Sequence, residues 1–72
     1  MREQLINRLR DERARLNLTQ AELATLVDVS RKTINTVENG VFVPSTVLSL
    51  RLARALNTTV EALFELPAAE ER

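Results

Sequence analysis

Residues Thr19 to Gly40, TQAELATLVDVSRKTINTVENG, leave the chain little choice of fold, because they encode two short helices separated by a break that only a tight, angled turn can span. Thr19 can accept an orphan amide while Glu22 reaches back to the Thr19 amide, the spacing of a capping box, so a helix starts at Gln20. Leu23, Ala24 and Val27 recur at helical offsets and give that helix one apolar face. Asp28 and Val29 break the period, and Ser30 is a second good N-cap that opens a new helix at Arg31. In this second helix Ile34 and Val37 point one way, which places Lys32, Asn35 and Thr36 opposite, with Arg31 on the flank. Asn39 and Gly40 both tolerate a left-handed backbone and stop it.

The rest of the chain predicts a small all-helical domain of five helices and no strands. A first helix is expected from about Glu3 to Leu16, with Leu5, Leu9 and Leu16 on one stripe and Asn17 as its stop. Ser45 can cap a fourth helix, in which Leu48, Leu52 and Leu56 repeat at four-residue spacing until Asn57. Thr58 and Glu61 have the spacing of another capping box, opening a fifth helix that runs through Leu66 and is closed by Pro67. Residues 1–67 are thus expected to form one domain and 68–72 a short polar tail. With 72 residues there is room for one core, and the absence of cysteine removes disulfides and thiolate metal sites as sources of stability. Packed helices or dimerisation must supply it.

Two charged residues fall where the period calls for apolar ones. Arg13 lies four after Leu9 and three before Leu16, and Glu38 lies four after Ile34. A lone buried charge is costly, so an ion pair between Arg13 and Glu38, clamping the first helix onto the third, is the economical expectation.

The segments TQAELA, VSRKTIN, ENG, the PS after the following loop, and VEALFEL resemble, in order and spacing, the phage repressor and Cro family, also called XRE-type regulators. The resemblance spans nearly the whole chain. It implies a five-helix, lambda-repressor-like DNA-binding domain with a helix-turn-helix at about residues 20–39, whose recognition helix, about 31–39, enters the major groove. Arg31 and Lys32 are then candidates to meet guanine O6 and N7, with Thr36 and Asn35 as further base-reading candidates. The N-terminus of the preceding helix suits phosphate, with Gln20 leading. The family also uses the positions of Thr19, Ser30, Thr33 and Asn39 for the DNA backbone, and it carries an ion pair at the positions of Arg13 and Glu38. Its partner surface commonly lies near the last helices, which makes Val60, Leu63, Phe64 and Leu66 dimer candidates. Three positions depart from the pattern: Asp28 stands where glycine is usual in the turn, Val41 where the loop commonly carries lysine, and Val47 where relatives are often charged. Val41, Phe42 and Val47 are thereby expected to form an exposed apolar patch, unless Phe42 covers the core beneath the loop.

Charge and inventory narrow the function. Ten basic and ten acidic residues balance, so non-specific attraction to nucleic acid is expected to be weak, but Arg31 and Lys32 form a local basic pair. The chain has no His, Cys, Tyr or Trp and no glycine-rich phosphate loop, which argues against an enzyme, a metal site or a cofactor. No apolar run approaches a membrane span, and the N-terminal segment is charged from Arg2 onward, so a cytoplasmic protein without a small-molecule ligand is expected. The partners expected are double-stranded DNA and a second copy of the chain, the whole acting as a repressor by occupying a palindromic operator. An alternative from another class is a protein-interaction module, antitoxin-like or antirepressor-like, that uses the apolar loop patch.

Overall fold

The computed structural model describes residues 5–68, in the order β1 (Ile6–Asn7), α1 (Leu9–Arg15), α2 (Gln20–Val27), α3 (Arg31–Glu38), α4 (Thr46–Ala55), α5 (Val60–Leu63) and β2 (Phe64–Glu65). The architecture is all-α, with five helices around one core and a two-residue antiparallel ladder joining the ends of the described chain. Four of the helices begin where a hydroxyl takes an orphan amide: Thr19, Ser30, Ser45 and Thr59 accept from Glu22, Thr33, Leu48 and Ala62. Asn17, Asp28, Gly40 and Asn57 adopt positive φ where helices end, and Asp28 supplies the left-handed turn between α2 and α3. Each helix sends at least one leucine or isoleucine fully inside: Leu9, Leu23, Ile34, Leu52 and Leu63. Burying each of these side chains stabilises the fold by roughly 1.5–3 kcal/mol.

Both terminal elements differ from expectation, for one shared reason. α1 begins at Leu9, because Ile6 and Asn7 before it are extended and pair with Glu65 and Phe64; Glu3, the expected start of the helix, lies outside the described residues. Asn7 then makes the helix start where it does, since its Oδ1 accepts the Leu9 amide at 3.0 Å while its Nδ2 donates to the Val37 carbonyl at 2.8 Å. Leu16 is 37% exposed rather than part of the core stripe. The fifth helix is one turn capped by Thr59, not Thr58, and Phe64 turns extended (φ −132°, ψ 134°) instead of continuing to Leu66. An Arg8–Glu65 ion pair at 2.8 Å and a hydrogen bond from the Arg8 amide to the Leu63 carbonyl, also 2.8 Å, close the ladder. Among the described residues no helix is long and apolar enough to cross a membrane.

Candidate nucleic-acid interface

The interface is built from the start of α2 and the outward side of α3. At Thr19 the capping box is complete: Oγ1 accepts the Glu22 amide at 3.0 Å, and Glu22 Oε1 accepts the Thr19 amide at 2.8 Å. Among the described residues this leaves the backbone amides of Gln20 and Ala21 without an acceptor, at the positive end of the helix. In α3, Arg31 and Lys32 are exposed and form no hydrogen bond or ion pair with another described residue. They occupy the first helical turn, which contains no acid. Cations there oppose the helix dipole, so their placement costs stability in the free protein.

Behind this face lies a polar cluster centred on Glu38, whose side chain is fully buried although its carboxylate is charged. Arg13 Nε donates to Glu38 Oε2 at 2.6 Å and Nη2 to Oε1 at 3.2 Å, while Nη1 reaches the Leu18 carbonyl at 2.8 Å. Gln20 Nε2 donates to the same Oε1 at 3.1 Å and to Asn35 Oδ1 at 3.2 Å. Arg10 adds a longer contact from Nε to Oε1, 3.4 Å, and its Nη2 donates to Asn39 Oδ1 at 3.0 Å. Burial pushes the Glu38 carboxyl up, but hydrogen bonds from Arg13, Gln20 and Arg10 with the Arg13 charge outweigh it and hold the group below its ordinary range. Arg13 is correspondingly raised, mainly by its hydrogen bond to Glu38. The cluster ties α1, α2 and α3 into one body and fixes the exposed Asn35 through its oxygen, leaving its amide hydrogens without an acceptor among the described residues.

Several expected site residues are spoken for differently. The Gln20 side chain spends both amide hydrogens on Asn35 and Glu38, so a phosphate can meet Gln20 only through its backbone N–H. Ser30 and Thr33 hydroxyls lie 3.0 Å apart and bond each other, with Ser30 also capping α3. Thr36 is half-buried and its hydroxyl donates to the Thr33 carbonyl at 2.9 Å, which spends its one O–H and leaves the methyl and the oxygen lone pairs. Asn39 is exposed at the end of α3, bracketed by Arg10 and Asn35.

The dimer candidates divide. Leu63 is fully buried and therefore unavailable to a partner, a correction that follows from the short α5 turning it inward. Val60 and Phe64 are half-buried against the core, and Leu66 is 58% exposed. Val41, Phe42, Val43 and Val47 are all exposed, so Phe42 does not seal the core. Sequence reasoning missed Arg10, although its place three residues before Arg13 on α1 puts the two on one helix face.

Residues 9–63 match a family model described as helix-turn-helix. An HTH-type transcriptional regulator of Methanothermobacter thermautotrophicus is 46% identical over 59 residues, covering 81% of this chain and 86% of the relative. The crystal structure of the restriction-modification controller protein C.AhdI from Aeromonas hydrophila superposes with a TM-score of 0.72 at 37% identity, over 75% of this chain and 82% of that one. Hydroxypropylphosphonic acid epoxidase from S. wedmorenis also superposes, with a TM-score of 0.73 at 30% identity, but this chain spans only 32% of that enzyme, so the likeness is one of fold.

Proposed function

The chain belongs to the XRE-type helix-turn-helix family of DNA-binding transcriptional regulators, and from that premise we propose that it is a homodimeric repressor that reads a palindromic operator with α3. The observation that carries this reading is the pair of cations, Arg31 and Lys32, without a partner among the described residues and at the wrong end of a helix dipole. A fold that leaves them there gains from an anionic partner. In the major groove they meet guanine O6 and N7, Asn35 offers its free amide hydrogens to a base edge, and the Thr36 methyl suits a thymine methyl. The open amides of Gln20 and Ala21 take a phosphate at the start of α2, and Thr19, Ser30, Thr33 and Asn39 flank the backbone path.

One recognition helix reads too few base pairs for a unique site, so two copies are needed, with residues 1–67 acting as the domain and 68–72 as a tail. Exposed Leu66 with the flanking Val60 and Phe64 is the partner surface in this reading. Repression follows from occupancy, with the protein's own promoter as one target in the cytoplasm. Selection of bound sequences from a randomised duplex pool, repeated with the Arg31→Ala, Lys32→Ala double variant, tests it. A two-fold symmetric site with half-sites about 34 Å apart, lost in the double variant, is expected. No enrichment at low salt would refute it.

A second reading is favoured by the exposed run Val41, Phe42, Val43 with Val47: a module that docks a protein partner through this apolar loop. Salt separates the two, since phosphate binding weakens steeply with ionic strength and an apolar contact does not.

A further inference from the structure

We propose that Arg10 is a phosphate-binding residue, a contact from the first helix to the DNA backbone at the far end of α3. The inference rests on the DNA-binding reading above and adds to it an element outside the helix-turn-helix. The described arginines of the N-terminal third, Arg8, Arg10, Arg13 and Arg15, are partnered unequally. Arg8 has Glu65 at 2.8 Å and Arg15 has Glu12 at 2.7 Å, one acid for each guanidinium. Arg10 and Arg13 share a single carboxylate, Glu38. Arg13 holds it with two short bonds and is only 17% exposed, whereas Arg10 touches it with one long contact and is 60% exposed. The three charged groups sum to one positive charge, and that excess sits on the outermost of them.

Placement gives the charge an address. Gln20, Asn35 and Asn39 are joined by hydrogen bonds into one strip, and Arg10 Nη2 extends it by donating to Asn39 Oδ1 at 3.0 Å. The strip therefore runs from the start of α2, along the outward side of α3, to a cation. Of the five N–H donors of a guanidinium, Arg10 uses one on Glu38 and one on Asn39, so among the described residues three remain for an incoming acceptor. Those two bonds also hold the planar fork in place, so little side-chain freedom is lost when a phosphate arrives. Asn39 orients Arg10, and Arg10 delivers the charge.

The test compares the wild-type chain with Arg10→Gln and Arg10→Lys, measuring affinity by fluorescence anisotropy against salt concentration on the enriched duplex and on a scrambled duplex of equal length. Arg10→Gln should weaken binding to both duplexes by a similar factor, about tenfold per protomer near 0.1 M salt, and lower the slope of log affinity against log salt by about 1 per protomer. Arg10→Lys keeps the charge and should keep most of the slope. Thermal melting of each variant in the absence of DNA checks that the fold is intact, and Glu38 retains Arg13 and Gln20 as partners in every case. An unchanged slope in Arg10→Gln, while the wild type binds with a steep one, would overturn the assignment and leave the DNA-binding reading standing. Weaker binding to the enriched duplex alone, with the slope retained, would also overturn it, because Arg10 would then be acting on base reading through the Asn39–Asn35 strip rather than meeting phosphate. A wild-type chain with no salt-dependent binding to either duplex would overturn both.

Discussion

The helices α2 and α3 are the same length, eight residues each, yet they are stabilised in opposite ways. α2 is secured at its start: a reciprocal capping box, an acid in the first turn, and then Leu23, Ala24 and Val27 buried. α3 has a single cap from Ser30, no acid in its first turn, two cations against its dipole, and only Ile34 and Val37 buried. Its security lies at the other end, where Glu38 is gripped by Arg13, Gln20 and Arg10. The difference teaches where the molecule gives up stability. The helix read as the scaffold is optimised at its N-terminus, and the helix read as the probe is anchored from behind, which leaves its leading turn free to carry charge.

The largest test of this contrast is Glu38→Ala, which strands Arg13 and releases Gln20 and should lower the unfolding free energy by about 3–5 kcal/mol in a urea titration. A loss under about 1 kcal/mol would mean that core packing, not the cluster, holds α3. Next in size is the Arg31→Ala, Lys32→Ala pair, expected to cost about 1–3 kcal/mol of operator affinity per lost base contact while leaving the melting temperature equal or higher. A lowered melting temperature would break the comparison. Thr19→Ala removes one half of a reciprocal box and should cost about 1 kcal/mol of stability; Ser30→Ala, with no returning acid, should cost less. The smallest effect on stability is that of Lys32→Glu, which places an anion at the dipole's positive end and should raise stability by about 0.5 kcal/mol while weakening DNA binding.

Acid sharpens the same contrast. The folded-state pKa of Glu38 is depressed, so its stabilising contribution is complete above the ordinary glutamate range near 4.3 and is lost as pH falls through the lower folded value. Wild-type stability measured from pH 7 down to about 3 should therefore fall more steeply than that of Glu38→Gln, which has no proton to take up at that site. Parallel curves would show that the carboxylate is not the group that matters.

Much of this was legible in the sequence because it is local. The Thr19 box, the Ser30 and Ser45 caps and the apolar spacing of Leu23, Val27, Ile34 and Val37 are all decided within a few residues. Even the burial of Glu38 followed from its place on the Ile34 face. The two strands were not legible, since Ile6 and Asn7 have no pattern of their own and become extended only because Phe64 and Glu65 pair with them across the whole chain. The same long-range pairing cut both terminal helices short and turned Leu63 inward while Leu66 stayed out. At the candidate site, Arg31 and Lys32 were visible as a bare basic pair. The engagement of Gln20 by Glu38 and Asn35, and the leftover charge on Arg10, depend on how three helices meet and are written in no single segment.

The pairing of Ile6 with Glu65 also means that the path of the described residues starts and finishes at one spot. Topologically the fold is nearly a ring, open only beside that ladder. A short linker joining the residues that flank the ladder, with a new opening cut in the exposed loop after Phe42, would give a circularly permuted chain in which the Val41 and Phe42 amides still reach the Thr36 carbonyl and the Glu38 cluster keeps its partners.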